Sequence, residues 1–346
     1  MERTSDRRDL DILVVGELNP DIIVSDPDPT PRFGQVERIV GDIRMTIGSS
    51  SAIFACGCAR LGLRVAFVGV VGDDPFGRYM LQALAERGIE TDACVVRSDR
   101  PTGATVVLSG PDDRAILTSL GTATDATDDL VADALLRRAR HLHVGSWFLQ
   151  AALRPRAAAL FRRAGAAGLS TSLDCNWDPT EAWGRDIDAV LAETDLFFPN
   201  AEEARRLTGL SDDAAAALEL ARRSGGRAAV AVKRGTAGAL IGWIEGGPDG
   251  TDRLVTTRAI PAAVVDTTGA GDAFDAGFVA GRLAGDDLAD ALRFAVACGS
   301  LSTRAIGGTE GQPTRAEAEA AVAAALETLE AREAFGEHED SPGGGR

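Results

Sequence analysis

The chain has 346 residues, 45% of them apolar and 25% charged, enough to bury one large α/β core without disulfides or structural metal. A formal charge of −16 and a pI near 4.7 set it against nucleic acid and anionic membrane surfaces, and no apolar run approaches the ~18 residues of a membrane span. The charged segment Met1 to Asp9 lacks the apolar stretch of a signal peptide, so the cytoplasm is the expected location. Five scattered cysteines form no metal or disulfide pattern, and Cys56 and Cys58 point about 200° apart on a helix.

Asp11 to Gly16 is a short apolar run ending in glycine, the pattern of a buried parallel strand. Asn19 and Asp21 follow it at the strand's carboxyl end, where open α/β sheets bind ligands. Their donors and acceptors suit a polyol, or serve turn chemistry around Pro20. Residues 22–47 change texture, with a Pro-rich loop and strand-like stretches at Val36 to Val40 and Arg44 to Ile47. Gly48-Ser49-Ser50-Ser51-Ala52 then opens a small-residue helix running to Leu61, with serine as its cap and Gly62 as its stop. Residues 94–118 hold three further strand-like runs, Cys94 to Val96, Ala104 to Leu108 and Ala115 to Thr118, too many for one parallel sheet. His141 and His143 alternate onto one face of a strand but have no third metal ligand nearby. A helix from Arg154 to Ala167 closes at Gly168, and the strand Ser170 to Asp174 leads into Asp174-Cys175-Asn176-Trp177-Asp178-Pro179.

Asp195 to Asn200 is a strand leaving into a helix. Asn200 and Glu203 stand three apart on its first turn, as in a capping box or a pair aimed at the strand end. Ala228 to Val232 is the next strand, followed by Lys233-Arg234-Gly235-Thr236-Ala237-Gly238. Lys233 is the sole lysine and Arg234 follows it, which excludes a Walker A loop and the protein-kinase residue set. It meets a triphosphate as a point charge, or is a surface lysine. No Gly-x-Gly-x-x-Gly follows the first strand, so a dinucleotide-binding dehydrogenase is not supported.

The most informative run is Asp266-Thr267-Thr268-Gly269-Ala270-Gly271-Asp272-Ala273-Phe274. Three residues with little or no side chain precede an acid that opens an apolar helix. The first-turn N–H groups of such a helix have no internal partner and carry partial positive charge, and a phosphate can approach them closely. A carboxylate beside a phosphate is repelled unless it takes a proton from an attacking hydroxyl; the alternative is a Gly-rich turn with an Asp near a helix start. An Asp has an ordinary pKa of ~3.9 and is a weak base, which a loose phosphoryl-transfer transition state tolerates. The helix Leu292 to Thr303 and a Gly307-Gly308 turn follow, and the acidic, Gly-rich tail beyond Arg332 is expected to be disordered.

This run resembles the C-terminal signature of the ribokinase/PfkB family of carbohydrate kinases, and the likeness extends over most of the chain. It implies a ribokinase-like three-layer α/β sandwich with a mostly parallel central sheet and a small β-sheet lid. The core would be 10–21, 48–93 and 119–332, the discontinuous lid 22–47 and 94–118, and the tails 1–9 and 333–346 disordered. It implies an ATP-dependent sugar kinase with Mg2+. Gly269, Ala270 and Gly271 would form the anion hole and Asp272 the catalytic base. Asn19, Asp21, Gly48, Ser49, Asp174 and Asn176 would contact the sugar, and Asn200, Glu203, Lys233, Gly235 and Thr267 the nucleotide. Glu203 would hold Mg2+ through water, and Asp266 and Thr268 match a monovalent-cation site for K+. The chain departs from the family pattern at Ser49 for a glycine, Ile53 for an asparagine, Asp178 for an arginine and Val296 for a polar residue near the adenine. The missing arginine favours a neutral sugar or sugar-like partner. A homodimer through the lid is also expected, with no nucleic-acid or membrane partner. The alternatives are a nucleoside kinase of the same fold, for which only Phe33 offers aromatic stacking from the lid, and an inactive sugar-binding sensor.

Overall fold

The computed structural model describes residues 8–110 and 114–334. In chain order the strands are β1 (Ile12–Val15), β2 (Pro20–Ser25), β3 (Asp42–Ile47), β4 (Val65–Val68), β5 (Val70–Gly72), β6 (Val95–Arg97), β7 (Ala104–Ser109), β8 (Arg114–Ser119), β9 (His141–Val144), β10 (Ser170–Leu173), β11 (Leu196–Phe197), β12 (Ala229–Lys233), β13 (Ala239–Glu245) and β14 (Thr251–Thr257). The helices are α1 (Ser50–Arg60), α2 (Pro75–Ala85), α3 (Asp133–Leu136), α4 (Ala157–Ala166), α5 (Ile187–Leu191), α6 (Ala201–Thr208), α7 (Asp213–Arg223), α8 (Ala270–Ala284), α9 (Leu288–Ser302) and α10 (Arg315–Ala334).

Eight strands form the central sheet in the order β14-β13-β12-β11-β10-β9-β1-β4. Pairing is parallel from β4 through β12 and antiparallel at β13 and β14. Strand side chains alternate between two cores. Ile12 and Val14 face the layer of α1, α8 and α9, whereas Leu13 and Val15 face the layer containing α4, α6 and α7. Because β1 has β4 on one side and β9 on the other, the chain reverses direction across the sheet at β1. The loops after β1 and β9 therefore open a crevice at their carboxyl ends.

A second sheet, β3-β2-β7-β8, stands over that crevice. Its make-up differs from the expected lid in three places. β2 begins at Pro20, so Asp21 belongs to this sheet rather than to a core loop. Val36 to Val40 forms no strand; Arg38 in that stretch pairs with Asp26 and Asp28 and holds the loop in an irregular path. β6 pairs in parallel with β5 and takes no part in the lid sheet, so the expected lid segment 94–118 contributes from Ala104 onward. Thr102 and Gly103 precede it. The Thr102 hydroxyl accepts from Gly72 N at 2.8 Å. Of the expected tails, Arg8 and Asp9 are tied down by bonds to Gly168 O and to Arg138, and α10 continues through Ala334. Residues 1–7 and 335–346 lie outside the described residues. His141 and His143 do share a face, and they bond to Ser170 and Ser172 rather than to metal.

α8 sits deep in the molecule because its glycines let neighbours approach. A Cβ on Gly277 would stand 3.0 Å from the Ala295 Cα of α9 and 2.8 Å from Cys298 Sγ. Gly277→Ala should therefore lower stability by roughly 1–3 kcal/mol through overpacking. Gly165→Ala, in α4 with only Arg227 Nη2 at 3.8 Å, should raise it by about 0.5–1 kcal/mol. Urea denaturation of both variants checks this contrast; equal effects would contradict it.

Candidate active site

The turn before α8 is built to keep its amides clear. Gly269 adopts φ 73°, in the left-handed region, and a Cβ there would meet Gly308 O at 2.7 Å and Ile53 Cγ2 at 2.9 Å. Ile53, where the family pattern has an asparagine, is thus a buried prop between this turn and Gly308. Of the turn amides, Ala270 N closes onto Thr267 O at 3.2 Å. Gly269, Gly271 and Asp272 have no internal backbone acceptor among the described residues. Of the expected 269–271 amides, those of Gly269 and Gly271 thus have no backbone acceptor while that of Ala270 does, and the Asp272 amide is likewise without one.

Beneath Gly271 lies Lys233, whose Nζ would be 3.4 Å from a Cβ on that glycine. It is neither a surface lysine nor an unpaired phosphate ligand. Its Nζ donates to Asp174 Oδ2 at 2.6 Å and to Asp275 at 3.1 and 3.3 Å. Burial works to lower the Lys233 pKa, but Asp174 and Asp275 outweigh it and raise it well above the ordinary value. Burial would likewise raise Asp174, yet Lys233 and a hydrogen bond with Asp275 hold it low; Asp275, buried and facing Asp174, is raised well above the usual range. The two carboxylates share one ammonium group, which holds Asp174 toward its ionised form while burial and the Asp174 charge drive Asp275 toward its protonated form.

Asp272 stands on the first turn of α8, above this pair. Burial and the Asp174 charge push it up to about 8, against the opposing pull of Lys233 and a hydrogen bond from Ser50. It is thus a far stronger base than an exposed aspartate. On the lid side, burial pushes Asp21 up to about 7, Arg114 opposing and Asp266 reinforcing that shift. Asn19 Nδ2 reaches Thr105 Oγ1 at 3.5 Å. Gly48 allows the close pass of α1's start against the lid, since a Cβ there would lie 2.1 Å from Asp21 Oδ1. Ser49 caps α1 at φ 70°, a glycine-favouring conformation held by its Oγ donating to Glu17 O at 2.6 Å and accepting from Ala52 N at 3.2 Å.

Asn200 and Glu203 form a reciprocal capping box, with Glu203 N to Asn200 Oδ1 at 2.9 Å and Asn200 N to Glu203 Oε2 at 2.8 Å. Burial and Asp174 push the Glu203 carboxyl up to about 7. Asn176 Nδ2 donates to Ser146 Oγ at 3.0 Å, and its backbone N donates to Asp174 Oδ1 at 2.8 Å. Asp178, in the place of an arginine, caps the turn made by Thr180 and Trp183. Asp266 accepts from Thr268 N and Oγ1 through Oδ1 and from Gly307 N through Oδ2. Arg114 of β8 donates to Thr268 Oγ1 at 2.8 Å and stands 4.0 Å from Asp266. Both Asp266 carboxylate oxygens thus accept hydrogen bonds, and the neighbouring cation is the Arg114 guanidinium.

Glu17 is the residue that sequence reasoning missed most clearly. It is buried at the switch point and accepts from Ser51 N and Oγ, Ser146 Oγ and Gln150 Nε2, at 2.6 to 3.2 Å. Its position directly after Gly16, at the end of a buried strand, was the available signal. Asp275 was missed as well, although an acid inside an otherwise apolar helix needs a partner.

A cavity of about 490 Å³ adjoins the turn, lined by Lys233, Gly235, Thr236, Thr267, Gly271, Phe274 and Val296 among others. Its lining combines the Lys233 side chain with hydroxyl, aliphatic and aromatic groups, the mixed character of a small-molecule site. No helix of the described residues is long and apolar enough to cross a membrane.

The sequence model for the pfkB family carbohydrate kinases matches residues 9–315. An uncharacterized sugar kinase of Archaeoglobus fulgidus is 33% identical over 258 residues, covering 74% of this chain and 98% of its own. A ribokinase of Arabidopsis thaliana is 30% identical over 316 residues, covering 88% of this chain and 79% of its own. The solved structure of Arabidopsis thaliana ribokinase complexed with ribose and ATP superimposes with a TM-score of 0.76 at 26% identity, over 90% of this chain and 98% of that one. With its ribokinase-like sandwich and its glycine turn opening onto Asp272, the chain is a phosphotransferase with an alcohol group as acceptor, and it belongs to the pfkB family of carbohydrate kinases.

Proposed function

We propose that this kinase transfers the γ-phosphoryl group of Mg-ATP to a hydroxyl of a small, uncharged carbohydrate. The observation that carries the reading is Asp272 on the first turn of α8, with a pKa near 8, beside amides that have no internal acceptor. The free N–H groups of Gly271 and Asp272 receive the terminal phosphate, and Lys233 adds positive charge from beneath the turn. Asp272 orients the acceptor hydroxyl and takes its proton as the bond to phosphorus forms. Asp21 and Asn19 reach the acceptor from the lid side, and position 178, an arginine in the family pattern, is an aspartate here and offers no cation to an anionic substrate.

Magnesium, when bound, neutralises charge on the phosphates. Among the described residues no three His, Cys, Asp or Glu side chains converge on one point, and Lys233 already occupies Asp174 and Asp275. What remains is Glu203, with one oxygen committed to the capping box and a pKa raised to about 7. That donor set suits a largely hydrated ion held through water. The nucleoside-kinase alternative gains no support, because Phe33 is 97% exposed and covers no pocket.

A homodimer through the lid is part of the same proposal. The lid face opposite Asp21 presents Ile22, Val24, Ile43, Met45, Val106 and Leu117, with Ile43 62% and Leu117 64% exposed. A second copy of the chain would cover this aliphatic sheet.

A coupled ADP-release screen with ketoses, aldoses, sugar acids, polyols and nucleosides tests the activity, and turnover with a neutral sugar is expected. Asp272→Asn should lower kcat by ~10²–10⁴ while ATP still binds; wild-type turnover would refute its role. Wild-type kcat/KM should rise roughly tenfold per pH unit up to about 8 and then level, because the ionised acid is the active form. A flat profile between pH ~6 and ~9 would contradict this. The folded protein binds the Asp272 proton more tightly than the unfolded chain, so stability falls as pH rises from the ordinary carboxylate pKa toward about 8. Thermal melts at neutral pH should accordingly show Asp272→Asn at least as stable as wild type. Leu117→Lys should convert a dimer to a monomer in sedimentation analysis; a monomeric wild type would dismiss the lid contact.

A further inference from the structure

The cavity beside the turn has a largely aliphatic lining: Ile260, Pro261, Ala262, Val264 and Val296 in it carry no polar side-chain atoms. Val264 is 64% exposed at the rim, an aliphatic group with nothing of the protein over it. The polar side chains in the rest of the lining, besides Lys233, are the hydroxyls of Thr236, Thr267, Ser300 and Thr303. The Thr303 hydroxyl is turned back onto Ser300 O at 2.7 Å. No amide, carboxylate or imidazole lines this cavity among the described residues.

The polar edges of adenine and guanine differ by inversion: an amino donor in one stands where the other has a carbonyl acceptor. Telling them apart requires a fixed donor or a fixed acceptor. A hydroxyl is both, and rotates to suit whichever group it meets. The main chain at 259–264 belongs to no helix or strand, and among the described residues no backbone hydrogen bond fixes it. A site that hydrogen-bonds its ligand specifically can reject the wrong one by 10⁴–10⁵, whereas an apolar pocket achieves only ~10².

We infer that this kinase recognises its phosphate donor by the triphosphate and by the size and flatness of a purine, not by the purine's hydrogen-bonding edge, so that ATP and GTP both serve. The inference rests on the kinase reading above and adds the donor class to it. Val296 is the residue that sets this tolerance, because it places a branched aliphatic group, with neither donor nor acceptor, in the cavity lining.

Calorimetry of the full chain with Mg2+ and the non-hydrolysable analogues AMP-PNP and GMP-PNP tests it without an identified acceptor. The two dissociation constants should differ by less than ~10², and CTP should bind more weakly than either purine because it covers less of the aliphatic lining. A purine ratio above ~10², or CTP binding as tightly as ATP, would overturn the inference and leave the kinase reading intact. Binding of none of these nucleotides would defeat both. Val296→Asn introduces a fixed donor and acceptor and should move the purine ratio by more than ~10-fold; an unchanged ratio would place the base elsewhere and also overturn the inference.

Discussion

Lys233 lies between Asp174 and Asp275, and the carboxyl end of the sheet is organised around that buried ion pair. That ammonium group bonds two carboxylates, and Glu203 and Asp272 lie close enough to feel the Asp174 charge. Desolvation makes their joint ionisation prohibitive, so the charge settles on Asp174 while Asp275, Glu203 and Asp272 are driven toward their protonated forms. Asp272, the proposed base, has its pKa raised because it is buried beside a neighbour held toward its ionised form. Removing Lys233 would strand Asp174 without a counter-charge, which is why this pair is better understood as a positioning device than as a store of stability.

The anion site and the lid are tied to the same framework. Gly269 takes the left-handed conformation that points the α8 amides outward, with Ile53 packed behind it. Asp266 holds the preceding turn and the Gly307 loop together through both its oxygens. Arg114 reaches from β8 to Thr268 in that turn, so a lid strand and the anion-binding turn are physically joined. Closure of the lid over an acceptor would then exclude water from the site where the phosphoryl group moves. Glu17, with four donors around it, fixes the starts of α1 and the β9 loop at the sheet's switch point.

The turn that opens α8 was legible in the sequence because its logic is local: small residues, an acid and an apolar helix in nine consecutive positions. The buried strands were legible from short apolar runs closed by glycine, as at Gly16 and Gly145. What was not legible depends on partners far apart in the chain. Lys233 meets Asp174 across 59 residues and Asp275 across 42, and nothing in the Lys233-Arg234-Gly235 stretch says whether its ammonium faces solvent, phosphate or acid. β6 has the texture of a lid strand, yet its pairing with β5 is set by the path of the chain after α2. Val36 to Val40 is apolar and β-prone, but Pro residues before it and the Arg38 pairs leave it without a neighbouring strand. The departures at Ile53 and Asp178 read as losses in sequence. In the fold they are a packing prop and a turn cap.

The central claim is that the unpaired amides opening α8 hold the donor's terminal phosphate beside Asp272. Amide NMR resonances of Gly271 and Asp272, followed while Mg-AMP-PNP and then AMP are added, test it most directly. The account predicts large shifts at both positions with the triphosphate and little change with AMP, which cannot reach the turn. Equal responses to the two nucleotides, or none at Gly271 and Asp272, would contradict it.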